Sequence, residues 1–253
     1  SRQVMKAMIF FFFLGTRLKP YTETMPKALV PVGGVPMLEL LLNHLKQNGF
    51  SRIIINVHHF AGQVVDFLDR NHNFGLDIAI SHEEDLLLDT GGGLKKAAWF
   101  FDDQQPFLVQ NVDVMSDIDY QEMLRFHTQT QSLVTLAVSE RETSRYFLFD
   151  NTMQLSGWEN VETGEVKTIR EPLQNLKPFA FSGIHIIDPR IFSLISNTGK
   201  FSIVDTYLQL GNQQKISGFT HDARNWADMG KPEDLSKAQR ILEKLKETNK
   251  NTP

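Results

Sequence analysis

Residues able to handle phosphate fall at three places along the chain. In the first, the apolar run Ala7 to Leu14 passes into Leu14-Gly15-Thr16-Arg17-Leu18, with Lys27 a short distance beyond. A strand that runs into a glycine-containing loop flanked by cations offers backbone N–H groups and fixed positive charge at the carboxyl edge of a sheet, which is how a phosphate cradle is built. The second place is Thr90-Gly91-Gly92-Gly93. Three bare residues either let the backbone approach a flat or anionic ligand closely or make a plain turn. Asp113 is the third, just past the apolar stretch Phe107 to Gln110. A carboxylate there reads either as a turn residue or as a hard oxygen ligand for Mg2+.

The elements that must carry these groups follow from periodicity. Leu38, Leu41, Leu42 and Leu45 share one helical face within Met37 to Asn48, and Gly49 follows as a stop. Arg52 to Val57 is a β-branched run of the kind found in strands covered on both faces. Gly62 to Arg70 reads as helix, Leu76 to Ser81 as strand, Leu94 to Phe100 as helix, Phe107 to Gln110 as strand, Tyr120 to Thr130 as helix and Leu133 to Ser139 as strand. This alternation predicts an α/β fold with a doubly wound, mostly parallel sheet. Residues 145–187 break into short strands with turns at Asp150-Asn151 and Thr163-Gly164, a small mixed β lobe. A final helix carries Leu235, Ala238, Ile241, Leu242 and Leu245 on one face, with fraying expected from Asn249. The expected organisation is a single domain: 5–140 for one half, 141–230 for the other, and 231–248 as the closing helix.

Composition narrows the function classes. A formal net charge of −4 argues against a nucleic-acid surface. The longest apolar run is too short to span a bilayer, and the absence of cysteine removes disulfides and thiolate metal sites. A cytoplasmic protein with no nucleic-acid or membrane partner is the expectation. The pair His58-His59 reads as loop histidines held by hydrogen bonds, and His82-Glu83-Glu84-Asp85 as a solvated acidic loop.

Leu14-Gly15-Thr16-Arg17-Leu18, Pro20-Tyr21-Thr22 and Pro26-Lys27-Ala28-Leu29-Val30-Pro31-Val32 together resemble the N-terminal block of the sugar-1-phosphate nucleotidyltransferases. Thr90-Gly91-Gly92, Phe107 to Asp113, Phe181-Ser182-Gly183-Ile184 and Trp226-Ala227-Asp228-Met229-Gly230 resemble later blocks of the same family, so the likeness covers essentially the whole chain. Mannose-1-phosphate guanylyltransferases and N-acetylmuramate-1-phosphate uridylyltransferases are the groups it resembles most. The resemblance implies a nucleotide-diphospho-sugar transferase-like fold, a nucleoside triphosphate and a sugar 1-phosphate as substrates, and a monomer or homodimer.

Its site residues carry over by position. Arg17 and Lys27 become the catalytic cations, Asp113 and Asp228 the ligands of a Mg2+ cofactor, and Leu14, Gly15, Thr16, Thr90, Gly91, Gly92 and Asn111 the nucleotide-binding set. Gly183, Glu171, Arg170 and Lys177 fall to the sugar phosphate. Lys231 stands where the family has threonine. The larger departure is Phe11-Phe12-Phe13, where the family has two small residues and a glycine that leave the backbone bare for nucleotide. Rings there imply weak triphosphate binding. Two other readings stand beside the transferase: an inactive nucleotide- or sugar-binding protein, and a glycosyltransferase using the D-x-D of Asp117-Ile118-Asp119.

Overall fold

The computed structural model describes residues 4–11, 21–83, 88–171 and 174–251. An apolar run forms strand β1 (Met5–Phe10), buried from Lys6 onward. The one-turn helix α1 (Tyr21–Thr24), a 3-10 turn over Lys27–Leu29, and the strands β2 (Pro31–Val32) and β3 (Val35–Pro36) come next. Gly33 and Gly34 turn that hairpin with φ of +59° and +82°, a region glycine enters without steric cost. Helix α2 (Met37–Gln47), strand β4 (Phe50–Val57), helix α3 (Ala61–Arg70) and strand β5 (Asp77–His82) then alternate, and β4 is buried from Ile53 to Val57 as its β-branched run implies.

Helix α4 (Asp89–Lys96) precedes β6 (Phe107–Asn111), β7 (Val114–Ser116), α5 (Tyr120–Thr130) and β8 (Val134–Ser139). A run of strands follows: β9 (Arg145–Phe149), β10 (Leu155–Asn160), β11 (Glu165–Thr168) and β12 (Lys177–Ile187). The chain closes through α6 (Ile191–Leu194), α7 (Ile203–Leu210), β13 (Ile216–Thr220), β14 (Trp226–Asp228) and α8 (Leu235–Lys250).

Two compact units result, and their boundary does not fall at residue 140. The first gathers residues 1–87, 110–118 and 224–253; the second holds 88–109 and 119–223. In the first unit β1, β4 and β5 are parallel neighbours, with Ile9 opposite Ile55 and Ile55 opposite Ile80. In the same unit, β14 pairs antiparallel with β7, and Ala238 and Ile241 of α8 close a core of Val30, Val32, Met37, Met115, Ala227 and Met229. The second unit is mixed: β8 runs parallel to β13 and antiparallel to β12, and β9, β10 and β11 extend β12 as an antiparallel meander. The fold is therefore α/β with the small β lobe over 145–187 that the sequence implies.

Two local expectations are corrected. The helix expected over Leu94 to Phe100 begins instead at Asp89 and ends at Lys96, with a separate 3-10 turn at Ala98–Phe100. Asn249 does not fray: α8 continues to Lys250, and Asn249 Nδ2 donates to Gln47 Oε1 at 2.7 Å. Among the described residues no helix is long and apolar enough to cross a membrane.

Candidate functional site

Lys27, Asp113 and Asp228 meet in the first unit. The Lys27 Nζ donates to Asp113 Oδ2 at 2.5 Å, with both side chains more than nine-tenths buried. Buried charges persist only when paired, so each of these ions holds the other in place. Asp228 is delivered by β14, whose pairing with β7 sets Asp228 opposite Val114, while the Met229 N–H donates to the Asp113 carbonyl at 2.7 Å. One Asp228 oxygen, Oδ1, accepts the Gly230 N–H at 2.9 Å. A Cβ built on Gly230 would lie 2.8 Å from Lys27 Cε, 2.9 Å from Lys27 Nζ and 3.0 Å from Asp228 Oδ1. The ammonium thus lies against the bare face of Gly230, close to both carboxylates. A methyl at that position would press on the Lys27 ammonium.

This donor set suits a divalent cation of the Mg2+ type. Two carboxylates on adjacent, hydrogen-bonded backbone offer hard oxygens, and Mg2+ is commonly bound by one or two carboxylates with the remaining positions left to water and substrate phosphate. Among the described residues no cluster of three or more acidic or histidine side chains forms a fuller cage.

Beside this cluster, the carboxyl end of β1 is held from both sides. The Phe10 carbonyl accepts the Val112 N–H at 3.0 Å, one residue before Asp113. Phe11 lies past the last register pair of β1 with β4, and side chains replace the ladder there: its N–H donates to Asn56 Oδ1 at 3.0 Å, and its carbonyl bonds His58 Nε2 at 3.2 Å. The Phe11 ring is buried, and it lines a cavity of about 10 Å³ with Thr22, Met25, Pro26, Lys27, His58 and His59. Leu14, Gly15, Thr16 and Arg17, together with Phe12 and Phe13, lie outside the described residues. Asn111 is half-buried at the end of β6.

The remaining candidates belong to the second unit. Thr90, Gly91 and Gly92 sit in the first turn of α4, where the sequence reading had glycines ahead of a helix starting at Leu94, and their polar groups are already engaged. The Gly91 and Gly92 N–H groups donate to the Phe201 carbonyl at 2.9 and 3.3 Å, and Thr90 Oγ1 accepts the Ile203 N–H at 2.9 Å. A Cβ on Gly91 would meet the Phe201 ring at 2.4 Å, and one on Gly92 the Gly199 carbonyl oxygen at 2.4 Å. Close packing of a helix on a neighbouring segment accounts for both residues being glycine. The helix N-terminus finds its hydrogen-bond acceptors inside the chain.

Gly183 takes φ of +74° in a bulge of β12, where the register against β8 jumps from Phe181 opposite Val138 to His185 opposite Leu136. Lys177 at the start of β12 pairs with Glu140 Oε1 at 2.5 Å and lines a cavity of about 480 Å³ with Ser139, Phe179, Thr220, His221 and Asp222. His221 Nδ1 lies 3.3 Å from the Asp222 carbonyl and its Nε2 2.5 Å from Ser182 Oγ. The carbonyl can only accept, so Nδ1 carries the proton and the Ser182 hydroxyl donates to Nε2. Burial lowers the His221 pKa, which favours the neutral imidazole. Arg170 is half-buried and Glu171 exposed, away from regular structure.

Asp119 of the D-x-D has a structural duty: its Oδ1 accepts the Gln121 and Glu122 N–H groups as the N-cap of α5. His58 is a hydrogen-bonded loop histidine, as the sequence implied, but Glu83 is buried rather than solvated. Sequence reasoning missed Asn56. The available signal was an amide among β-branched residues in a strand covered on both faces, a place that tolerates a polar side chain only when it has a partner.

The family model described as nucleotidyl transferase matches residues 13–245. The N-acetylmuramate alpha-1-phosphate uridylyltransferase of Neisseria meningitidis serogroup B is 31% identical over 94% of this chain and 98% of its own length. The mannose-1-phosphate guanyltransferase of Yarrowia lipolytica is 28% identical over 91% of this chain, which spans 62% of that longer relative. In fold, the chain is similar to HddC from Yersinia pseudotuberculosis complexed with GMP-PN, with a TM-score of 0.74, 24% identity, and coverage of 96% of this chain and 100% of that one.

Proposed function

Because the chain belongs to the nucleotidyl transferase family, we propose that it transfers a nucleotidyl group from a nucleoside triphosphate to a sugar 1-phosphate, releasing pyrophosphate. The observation that carries this reading is the buried Lys27–Asp113 pair packed on Gly230 beside Asp228. In the reaction a phosphate oxygen of the sugar 1-phosphate attacks the α-phosphorus. A new P–O bond forms while the bond to the β-phosphate bridge oxygen breaks, and pyrophosphate leaves with the electron pair. The nucleophile is already an anion, so no general base is needed and the protein contributes position and charge.

Lys27 supplies a fixed cation for the α-phosphate. Releasing it from Asp113 when substrate arrives frees that carboxylate for a metal. Asp113 and Asp228 would hold Mg2+, which when bound supplies Lewis acidity and a template for phosphate oxygens. Arg17 is assigned to the departing phosphates, where a planar guanidinium fork matches the oxygens. Lys177 and the polar walls of its cavity are assigned to the sugar phosphate.

Relatives named for uridylyl and for guanyl transfer both occur, so both bases are candidates. GTP with mannose 1-phosphate is the pair we assign first, and UTP with N-acetylmuramate 1-phosphate second. Asp119 of the D-x-D caps α5 through Oδ1, which weighs against the glycosyltransferase reading.

The test is pyrophosphate release. Incubation with GTP or UTP, the matching sugar 1-phosphate and Mg2+ is expected to yield pyrophosphate and a nucleotide-diphospho-sugar in equal amounts. Sugar transfer from a preformed nucleotide sugar without pyrophosphate would reject the assignment. Binding of substrates with no turnover would favour the inactive binding protein.

A further inference from the structure

We propose that Asp234 is a positioning residue for the metal-binding carboxylate: its side chain holds the main chain of Asp228 in the orientation from which that residue reaches the cation. The inference rests on the reading of Asp113 and Asp228 as metal ligands and adds a residue which that reading does not contain. Its basis is a contrast between two aspartates at helix starts. Asp119 precedes α5 with extended backbone, φ −77° and ψ 103°, and its carboxylate caps that helix by accepting the Gln121 and Glu122 N–H groups. Asp234 stands in the same place before α8, yet its carboxylate makes no capping bond to that helix. Its Oδ2 reaches back instead and accepts the Asp228 N–H at 3.2 Å.

The local backbone explains the difference. A 3-10 turn over Pro232–Asp234 leads directly into α8, so Asp234 already has helical backbone, φ −96° and ψ −2°. In a helical chain the Cα–Cβ bond tilts toward the N-terminus, which aims this side chain back at the end of β14. The main chain there is bonded on every side. The Met229 N–H goes to the Asp113 carbonyl at 2.7 Å, the Asp228 carbonyl accepts the Lys231 N–H at 3.0 Å, and the Lys231 carbonyl accepts the Asp234 N–H at 3.0 Å. These three bonds join main chain to main chain, whereas the bond to the Asp228 N–H depends on the Asp234 side chain and can be removed by substitution. Asp234 is itself fixed, because Leu235, Ala238 and Ile241 of α8 pack on the core that holds Ala227 and Met229, the two neighbours of Asp228. The metal-binding carboxylate is therefore referenced to β7 on one side and to the start of α8 on the other. A partner behind a metal ligand fixes the direction in which the ligand is presented, so its loss weakens the metal and leaves the sugar phosphate untouched.

Asp234→Ala removes the acceptor, and Asp234→Asn keeps an acceptor oxygen without the charge. Pyrophosphate release by the wild-type chain with GTP or UTP judges the functional reading on its own. Titration of the three chains with Mn2+ alone, followed by its electron paramagnetic resonance signal, is expected to show binding weakened at least about fivefold in Asp234→Ala and mostly recovered in Asp234→Asn. The Mg2+ concentration for half-maximal turnover should rise by a similar factor, with the sugar-phosphate KM little changed. Mn2+ binding equal in wild type and Asp234→Ala, or an Asp234→Asn chain as weak as the alanine variant, would overturn the proposal. A wild-type chain that binds no Mn2+ would overturn it together with the metal reading. Amide hydrogen exchange gives a readout that needs neither metal nor turnover: exchange at Asp228 should accelerate at least about tenfold in Asp234→Ala while Met229, bonded to Asp113, keeps its protection. Unchanged protection at Asp228, or protection lost equally at both residues, would overturn the anchor even if the enzyme reading stands.

Discussion

The Met229 N–H donates to the Asp113 carbonyl at 2.7 Å, and that bond sets two carboxylates side by side, because Asp228 precedes Met229 and is the register partner of Val114. The pairing is made by main chain, so it persists whatever the side chains are doing. Substitutions at either aspartate therefore report on chemistry and charge and leave the backbone scaffold in place.

Asp113→Asn and Asp228→Asn are each expected to abolish Mg2+-dependent turnover, while Asp117→Asn changes it far less. Asp113→Asn should also lower stability, by about 1.5–3 kcal/mol, because it weakens a charge-assisted bond to the buried Lys27 ammonium. Pyrophosphate release and urea midpoints of the three variants check this. A requirement for Asp117 greater than that for Asp113 would move the metal site elsewhere.

Gly230→Ala places a methyl within 3.0 Å of Lys27 Cε, Lys27 Nζ and Asp228 Oδ1 at once. Lys27 has a flexible stem but a fixed partner, so the expected result is a displaced ammonium and a turnover loss of at least about tenfold, with about 1–3 kcal/mol of strain. Turnover equal to wild type would mean that the ammonium need not stand where the structure has it.

Gly91→Ala and Gly92→Ala address whether these glycines face ligand or chain. Each methyl collides with residues 199–201, so loss of thermal stability, on the order of 1–3 kcal/mol, is expected without any ligand present. If either variant melts like wild type yet loses triphosphate binding, the glycines serve the ligand after all.

Three histidines are kept neutral mainly by burial: His44 and His127 are pushed down to about 4, and His185 to about 3. Unfolded, each takes up a proton near pH 6.5, so the unfolded state binds more protons below that value. Their contribution is fully present above about pH 6.5 and is lost as pH falls toward 4, at roughly 1.4 kcal/mol per histidine per pH unit. Urea midpoints should fall from pH 7.5 to pH 5. A midpoint that holds constant or rises over that interval would contradict this account.

Strands and helices of the first unit were legible because one periodicity dominates each stretch, as in the apolar face of α2 and the β-branched run of β4. Lys27 and Asp113 could be picked out singly, but their pairing could not, since nothing local links residues so far apart. The start of α4 was misplaced for a physical reason. Glycine is a poor helix former, and Gly91 and Gly92 are held in the helix by close packing against residues 199–201, remote in sequence. Asp119 misled in the other direction, since a helix cap and a metal motif can use the same letter. The burial of Phe11 matches its ordinary strand character, while the effect of Phe12 and Phe13 belongs to residues outside those described.

Lys27, Asp113 and Asp228 come from three separate stretches of one compact unit, and all of residues 119–223 are synthesised between the second and the third. A ribosome therefore delivers the two members of the buried ion pair well before Asp228. A nascent chain stalled before β14 lacks the strand that pairs with β7 and the helix that closes the core around Met115. Long-range pairing of this kind forms slowly and late. The buried Lys27–Asp113 pair then gains Asp228 as a neighbour only once β14 has been made.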